Sequence, residues 1–432
     1  VRVGVVPPDR TTRTDRRADP VTAEHPPRLS MRAAARASDG GAFDADLLDL
    51  PWERSITEWP EELFLDLPKG ISRHEVRFVE RRGTILAVKE LPEAAARNDF
   101  LVLNELEDEA VPTVHPVAVL TGRSADPTEE RAAALVTRYE LYSFSYRELL
   151  SGSTFGPRRD QLIGALAVLL VELHLTGCFW GDTSLSNVLY RFDAEAVVAI
   201  MVDAETAELH PVLSQGQREL DLEIMVVNVA GGMADLAAQS GVDLDDADLG
   251  LGDEIADSYR RLWKVISDPE PIAVSERWRI RERIEQLEAM GFQVEEIAVS
   301  ERAGGDMLLV RPVVRSRQFH RSRLRELTGV DVLELQARQV LTDLYYHRAL
   351  RADEDQRIVD LQWRLEEFEP WVGRLAAEQD ADPVQAFCDL LHHRWLLSSR
   401  DERAVSTEEA HAHWVAAGRP GRGLDGGAGG ST

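Results

Sequence analysis

Asp182, Asn187 and Asp203 are the side chains of this 432-residue chain whose types and spacing could do chemistry together. They stand in Gly181-Asp182-Thr183-Ser184-Leu185-Ser186-Asn187 and in Val202-Asp203-Ala204-Glu205. A carboxylate, then an amide, then a second carboxylate is a set that phosphoryl transfer uses. One Asp accepts or orients the proton of an attacking hydroxyl, while the amide oxygen and the other Asp hold Mg²⁺ against nucleotide phosphates. Mg²⁺ wants oxygen ligands and keeps several waters, so one amide and one carboxylate are enough protein. By itself the Asp and Asn pair is a weak signal, since such pairs also cap helices in ordinary loops.

The flanking elements strengthen it. Leu162 to Leu175 reads as a buried helix with Thr176-Gly177 as its stop, followed by a turn that carries Asp182. Val188-Leu189-Tyr190 then reads as a strand, Arg191-Phe192-Asp193 as a turn, and Ala196 to Val202 as a second strand that delivers Asp203 at its end. His174, at the end of the apolar helix, is expected to be a satisfied core group.

Upstream, Glu75 to Glu80 and Thr84 to Lys89 alternate like two strands across Arg81-Arg82-Gly83. Only three lysines occur, Lys69, Lys89 and Lys264, in a chain whose basic residues are otherwise Arg. Lys89 therefore stands out at the end of Ile85-Leu86-Ala87-Val88, where a strand-borne Lys can pair with nucleotide phosphates and be held by an acid on the next helix. Pro92 to Glu107 is that helix, with Phe100, Leu101, Leu103 and Leu106 as its apolar face; Asp99 is the expected partner of Lys89, with Glu105 as the alternative. Gly70, in Pro68-Lys69-Gly70, is the candidate phosphate-covering turn, or a plain turn before a strand.

Composition bounds the partners. A formal net charge of -27 argues against nucleic acid or an anionic membrane as a general partner. Cys178 and Cys388 form neither a disulfide framework nor a metal-ligand spacing, which fits a reducing cytoplasm. Leu162 to Val171 is the longest apolar run and is too short to span a bilayer, so no transmembrane segment is expected. The chain starts with Val, and Met31 follows within an Arg- and Pro-rich stretch, so the opening residues read as a tail or as a start placed too early.

Beyond Asp268-Pro269-Glu270-Pro271 the composition shifts. Ser275 to Met290 reads as an amphipathic helix, Gln293 to Glu301 and Met307 to Val314 as a hairpin over Gly304-Gly305, and mostly helices follow. Arginines 311, 315, 317, 321, 323 and 325 could grip phosphate, but a solvated or internally paired face is the plainer reading in so acidic a chain. The expected organisation is a disordered segment 1–41, a small lobe 42–142, a large lobe 143–269, an accessory domain 270–417 of helices and a hairpin, and a Gly-rich tail 418–432.

Together Lys89, Asp182, Asn187 and Asp203 resemble the protein-kinase-like superfamily, most closely its lipopolysaccharide kinase (Kdo-type) branch and, more distantly, aminoglycoside phosphotransferases. The resemblance covers about residues 66–266, and the whole chain looks like an uncharacterised actinobacterial family that adds a C-terminal domain of unknown function. It implies an α+β, bilobal protein-kinase-like fold, with a small antiparallel-sheet lobe, a helical lobe and a mostly helical C-terminal domain. It also implies ATP and Mg²⁺ as cofactors, a hinge near Tyr139-Glu140-Leu141, Lys89 on the nucleotide phosphates, Asp182 as catalytic base, Asn187 and Asp203 as metal ligands, and Asp221 as a structural brace. The sequence departs from the pattern at Trp180, where that branch often has His, at Ala204-Glu205, where Phe-Gly is usual, at the short acid Asp99, and in a glycine-rich loop reduced to Gly70. Glu205 either joins the Mg²⁺ shell or caps the next turn.

The function expected is a kinase: phosphoryl transfer from ATP to a hydroxyl of an unidentified small molecule, glycoconjugate or protein. A non-catalytic nucleotide-binding pseudokinase or scaffold is the alternative that those departures motivate, and nucleotidyl transfer at the same site is a third.

Overall fold

The computed structural model describes residues 29–34, 47–67, 73–147, 156–241, 243, 246–276, 278–301, 307–378 and 382–421. Gly70, Gly304-Gly305, most of segment 1–41 and all but the start of the tail lie outside the described residues.

Six antiparallel strands make the small lobe, in the order β1-β5-β6-β4-β3-β2. They are β1 (Ser30–Ala33), β2 (Phe64–Leu65), β3 (Val76–Arg81), β4 (Thr84–Leu91), β5 (Pro116–Thr121) and β6 (Ala133–Arg138). The β3–β4 turn has positive φ at both Arg82 (50°) and Gly83 (77°), the backbone that a two-residue hairpin loop needs to match strand twist. Alternation along β4 sends Leu86 and Val88 into an outer core with Trp52, Ile56 and Trp59, and turns Lys89 to the opposite face. Glu90 shares the outer face: it accepts from Ser55 Oγ (2.7 Å), Ile56 N (3.0 Å) and the buried Arg123 guanidinium (2.5 Å). The segment around Trp52 is thereby tied to the back of the sheet.

Strand β1 corrects an expectation, because Ser30–Ala33 falls in the stretch read as disordered. It pairs with β5 from Ser30↔Thr121 to Ala33↔Ala118, and Met31 packs on the outer core. Four residues are too few to leave a periodic signature, and main-chain pairing to a preformed edge needs none.

The large lobe is built on helix Gly156–Leu175, whose Leu162, Leu166, Leu169, Leu170 and Leu173 are buried among those of helix Leu251–Ser267 and the hairpin β9 (Val188–Asp193) and β10 (Ala196–Met201). Short strands β7 (Ser143–Ser145), β8 (Cys178–Phe179) and β11 (Glu208–Leu209) flank that hairpin. Its turn lies at Ala194-Glu195, with Ala194 at φ 54°, and not at Arg191–Asp193: those three residues stay in strand because Arg191 and Asp193 bond to the C-terminal region. Helix Gln215–Ser240 runs through Gly231-Gly232. Gly232 lies against Leu185, and the helix ends only at Gly241 in the left-handed region.

In the C-terminal region, β12 (Glu270–Ala273), β14 (Met307–Ser316) and β13 (Gln293–Glu301) form an antiparallel sheet in that order. The Asp268–Pro271 stretch thus enters a strand where the sequence suggests only a boundary. Helices Phe319–Thr328, Glu334–Leu350, Pro383–Asp401 and Thr407–Ala416 bury Val340, Leu344, Trp363, Phe368, Phe387 and Trp414 in their own core. Three of the six arginines in the run are paired internally: Arg321 with Asp331 (2.7 and 2.8 Å), Arg323 with Glu326 (3.2 Å), and Arg317 with the Met290 carbonyl (3.0 Å).

The tip of the β9–β10 hairpin joins this region to the large lobe. Asp193 accepts from Leu335 N (3.0 Å) and Gln336 N (2.7 Å), which caps helix Glu334–Leu350, and Gln385 brackets Ala194 through both its backbone N–H (2.8 Å) and its carbonyl (2.9 Å). Arg191 bonds Glu140 (3.0 Å) on one side and Asp382 (2.5 Å) on the other. The protein is α+β: an antiparallel-sheet lobe, a helical lobe and a mostly helical C-terminal region. Among the described residues, no helix is long and apolar enough to cross a membrane.

Candidate active site

Lys89 reaches from β4 into the cleft between sheet and helices, where its Nζ is 2.7 Å from Asp203 Oδ2, 3.3 Å from Asp99 Oδ2 and 3.8 Å from Glu205 Oε2. Helix Glu93–Asp108, capped by Pro92, places Phe100, Leu103 and Leu106 against the core and so turns the adjacent Asp99 inward. Asp99 is the partner of Lys89, ahead of Glu105. It is fully buried, and its other oxygen accepts from Ala204 N (2.9 Å), so one carboxylate fixes both the lysine and the backbone after Asp203. Burial pushes Asp99 up to about 7, against the pull of Lys89. Burial also lowers Lys89, but Asp99 and Asp203 outweigh it and keep the ammonium above its ordinary value.

Asp182 and Asn187 occupy the loop between β8 and β9. Asn187 Nδ2 donates to the Asp182 carbonyl (3.0 Å), and its own carbonyl accepts from Val202 N (3.1 Å), beside Asp203. Asp182 Oδ1 accepts from Asn228 Nδ2 (3.1 Å), and its Oδ2 is 3.7 Å from the Arg73 guanidinium. Partial burial raises the Asp182 carboxyl above the usual range; Arg73 opposes this, while Asp203 and Glu205 reinforce it. A carboxylate with raised proton affinity and a fixed orientation is suited to accept a proton.

Behind this loop, Asp221 accepts from Trp180 N and Gly181 N (both 2.8 Å) and from His174 Nε2 (3.1 Å), and His174 Nδ1 meets Tyr259 OH (2.7 Å). His174 is a buried, satisfied group whose burial lowers its pKa, and it does not reach the cleft. Trp180 has its own use, because its indole N–H donates to the Asp203 carbonyl (2.8 Å).

Glu205 has a further role that the sequence does not suggest. Its carboxylate spans the lobes to His74 Nε2 (2.9 Å) and to the Arg73 guanidinium, and His74 in turn meets Glu130 (2.6 Å). The His74 bond, more than the cations nearby, holds Glu205 down at about 2, and the same bond raises His74.

The structure brings Lys89, Asp99, Asp182, Asn187 and Asp203 to one cleft. Sequence reasoning missed Asn98, Asn228, Arg73 and His74 there. Asn98 donates to the carbonyls of Ala204, Glu205 and Ala207 (3.3, 3.0 and 2.9 Å), holding the loop after Asp203 from the neighbouring helix. A polar pair, Asn98-Asp99, inside a helix of apolar periodicity was the available signal. Asn228 carried a similar one, an amide in a helix otherwise reading Val226-Val227 and Val229-Ala230.

Residues 261–418 match a family model described as a Domain of unknown function (DUF4032), which is short of half the chain. No curated protein matches the chain in sequence. Among solved structures, WaaP in complex with acyl carrier protein is 16% identical over 51% of this chain and 86% of that one, with a TM-score of 0.33. A glucosamine kinase in complex with glucosamine, ADP and inorganic phosphate is 14% identical over 45% and 68%, with a TM-score of 0.29. The Rio2 kinase ADP/Mg²⁺-phosphoaspartate complex from Chaetomium thermophilum is 15% identical over 51% and 73%, again at 0.29. The chain's own topology is kinase-like: an antiparallel sheet whose lysine meets an acid on helix Glu93–Asp108, above a helical lobe that offers a loop and hairpin to the same cleft.

Proposed function

We propose that the protein is an ATP- and Mg²⁺-dependent phosphotransferase acting on a hydroxyl group. The observation that carries this reading is the meeting of Lys89, Asp182, Asn187 and Asp203 across one cleft, with Asp99 and Asp221 fixing the backbone on either side.

The donor set suits the metal. Asn187 spends its N–H₂ on Asp182, which leaves its amide oxygen for a cation, and Asp203 supplies a carboxylate beside Lys89. The described residues contain no cluster of three His, Cys, Asp or Glu that could hold a metal unaided, in keeping with an ion that takes one carboxylate and completes its shell with waters and phosphate oxygens. When bound, Mg²⁺ would neutralise phosphate charge and orient the terminal phosphoryl group. Lys89 would hold the inner phosphates, kept charged and aimed by Asp99. Asp182, oriented by Asn228, would take the proton of the acceptor hydroxyl as its oxygen bonds to phosphorus and ADP departs. Trp180 and Asp221 keep the loop backbone in place and touch no reacting atom.

The pseudokinase alternative rests on Gly70, Asp99 and Ala204-Glu205. Asp99 reaches Lys89 despite its shorter side chain, and Glu205 holds the lobes together, so two of the three departures leave the chemical groups in position. The test is transfer of γ-labelled phosphate from ATP to metabolite fractions or to protein by the full chain. Label that appears with wild type and vanishes with Asp182→Ala is the expected result. Mg·ATP that raises the thermal midpoint while no fraction ever takes label would overturn the enzyme reading.

A further inference from the structure

Arg73 lies at the outer end of the cleft, on the far side of the carboxylates from Lys89. Its guanidinium contacts Glu205 and stands 3.7 Å from Asp182, while 68% of the side chain remains exposed. Four carboxylates, Asp99, Asp182, Asp203 and Glu205, thus share two obligate cations, with Lys89 taking the inner pair and Arg73 the outer. Lys89 is committed to the deep end by contacts at 2.7 and 3.3 Å. A hydroxyl held by Asp182 must attack a phosphorus close to that carboxylate, so the transferring group sits at the outer end. Among the described residues, Arg73 is the always-charged cation there.

Building on the phosphotransferase reading above, we propose that Arg73 binds the terminal phosphate of the nucleotide, exchanging Glu205 and Asp182 for phosphate oxygens when the triphosphate enters. A guanidinium presents N–H donors in a fork that matches two oxygens of a phosphate, and its charge stays on at any working pH. Tied, among the described residues, to carboxylates alone and otherwise in solvent, it exchanges partners without breaking a packed core. Glu205 does not lose its own compensation, because His74 stays bonded to its other oxygen at 2.9 Å. Arg73 therefore touches the group that is transferred, and it makes the site prefer a triphosphate over a diphosphate.

The experiment is equilibrium binding of Mg·ATP, of its non-hydrolysable analogue and of Mg·ADP to the full-length protein and its variants. Arg73→Ala should weaken binding of ATP and of the analogue about tenfold or more, the loss expected for one charge-assisted contact, and leave ADP within about twofold. Arg73→Lys should recover part of the loss, since an ammonium restores the charge without the fork. Arg311→Ala, an exposed arginine on β14, serves as the charge control and should change neither affinity. Equal loss of ATP and ADP with Arg73→Ala, or no loss of either, overturns the proposal while nucleotide binding by wild type leaves the broader reading intact. Failure of wild type to bind any nucleotide sinks both. The thermal midpoint of Arg73→Ala without nucleotide should match wild type, as the exposed side chain predicts.

Discussion

The β9–β10 hairpin carries an aspartate near each of its ends, and the two are opposites. Asp203 follows the strand that enters the cleft; it faces the Lys89 ammonium at 2.7 Å and retains some exposure to solvent. Asp193 closes the strand at the far end, almost fully buried, and its oxygens are met by two backbone N–H groups at 2.7 and 3.0 Å. One carboxylate faces a side-chain ammonium in a cleft that solvent still reaches. The other is fixed by donors that have nowhere else to go. Residue type alone does not separate a chemical aspartate from a structural one; the donors that surround it do.

Breaking the cleft end should have the larger effect on function. Asp203→Ala removes the carboxylate proposed to hold the metal and should lower phosphoryl transfer on the order of 10³-fold or more. It should leave the thermal midpoint close to wild type, because the position is not part of a packed core. Product formation measured across a Mg²⁺ titration checks this, and a variant as active and as Mg²⁺-dependent as wild type would remove Asp203 from the site.

At the other end the order reverses. Asp193→Ala leaves two amide groups at the start of helix Glu334–Leu350 without acceptors in a buried setting, which should cost about 3 kcal/mol of stability. Asp193→Asn keeps one acceptor oxygen and should cost less. Denaturant unfolding reads the difference, and nucleotide affinity just below the transition should not change. A variant that unfolds like wild type but binds nucleotide poorly would mean that the far end serves the cleft and not the joint.

The same contrast explains which features were legible in the sequence. Lys89 on β4 and Asp99 inside helix Glu93–Asp108 were legible from strand alternation and helical spacing, and Asp182, Asn187 and Asp203 from their motif spacing around a helix and a hairpin. The hairpin turn was misplaced because Arg191 and Asp193 look like turn residues until their partners, Asp382, Leu335 and Gln336, are known. Arg73 and Asn228 meet Glu205 and Asp182 across 132 and 46 residues of chain, and nothing in local spacing announces a contact between elements so far apart. Strand β1 is held by main-chain pairing, which carries no side-chain signature at all. What was missed is tertiary, and what was read is periodic.

The smallest effect is one of pH, and it belongs to the joint. Glu172, buried on helix Gly156–Leu175, has one carboxylate oxygen without a hydrogen-bond partner, and burial pushes it up to about 8 although Arg317 pulls the other way. Asp193, close enough to add to that shift, is itself pushed up to about 6 by burial. Both carboxyls bind a proton more tightly folded than unfolded. Their protonation therefore favours the native state at low pH, and this contribution declines as pH rises from about 4, where the unfolded groups ionise, to about 8. Glu172→Gln keeps the shape of the protonated acid and cannot ionise. It should match wild type in stability near pH 4 and exceed it at pH 8, with the gap opening across that interval. Unfolding midpoints of the two proteins at several pH values measure the gap directly. A constant difference from pH 4 to 8 would show that Glu172 is ionised throughout and that the Arg317 and Arg321 charges, not burial, govern this end of the molecule.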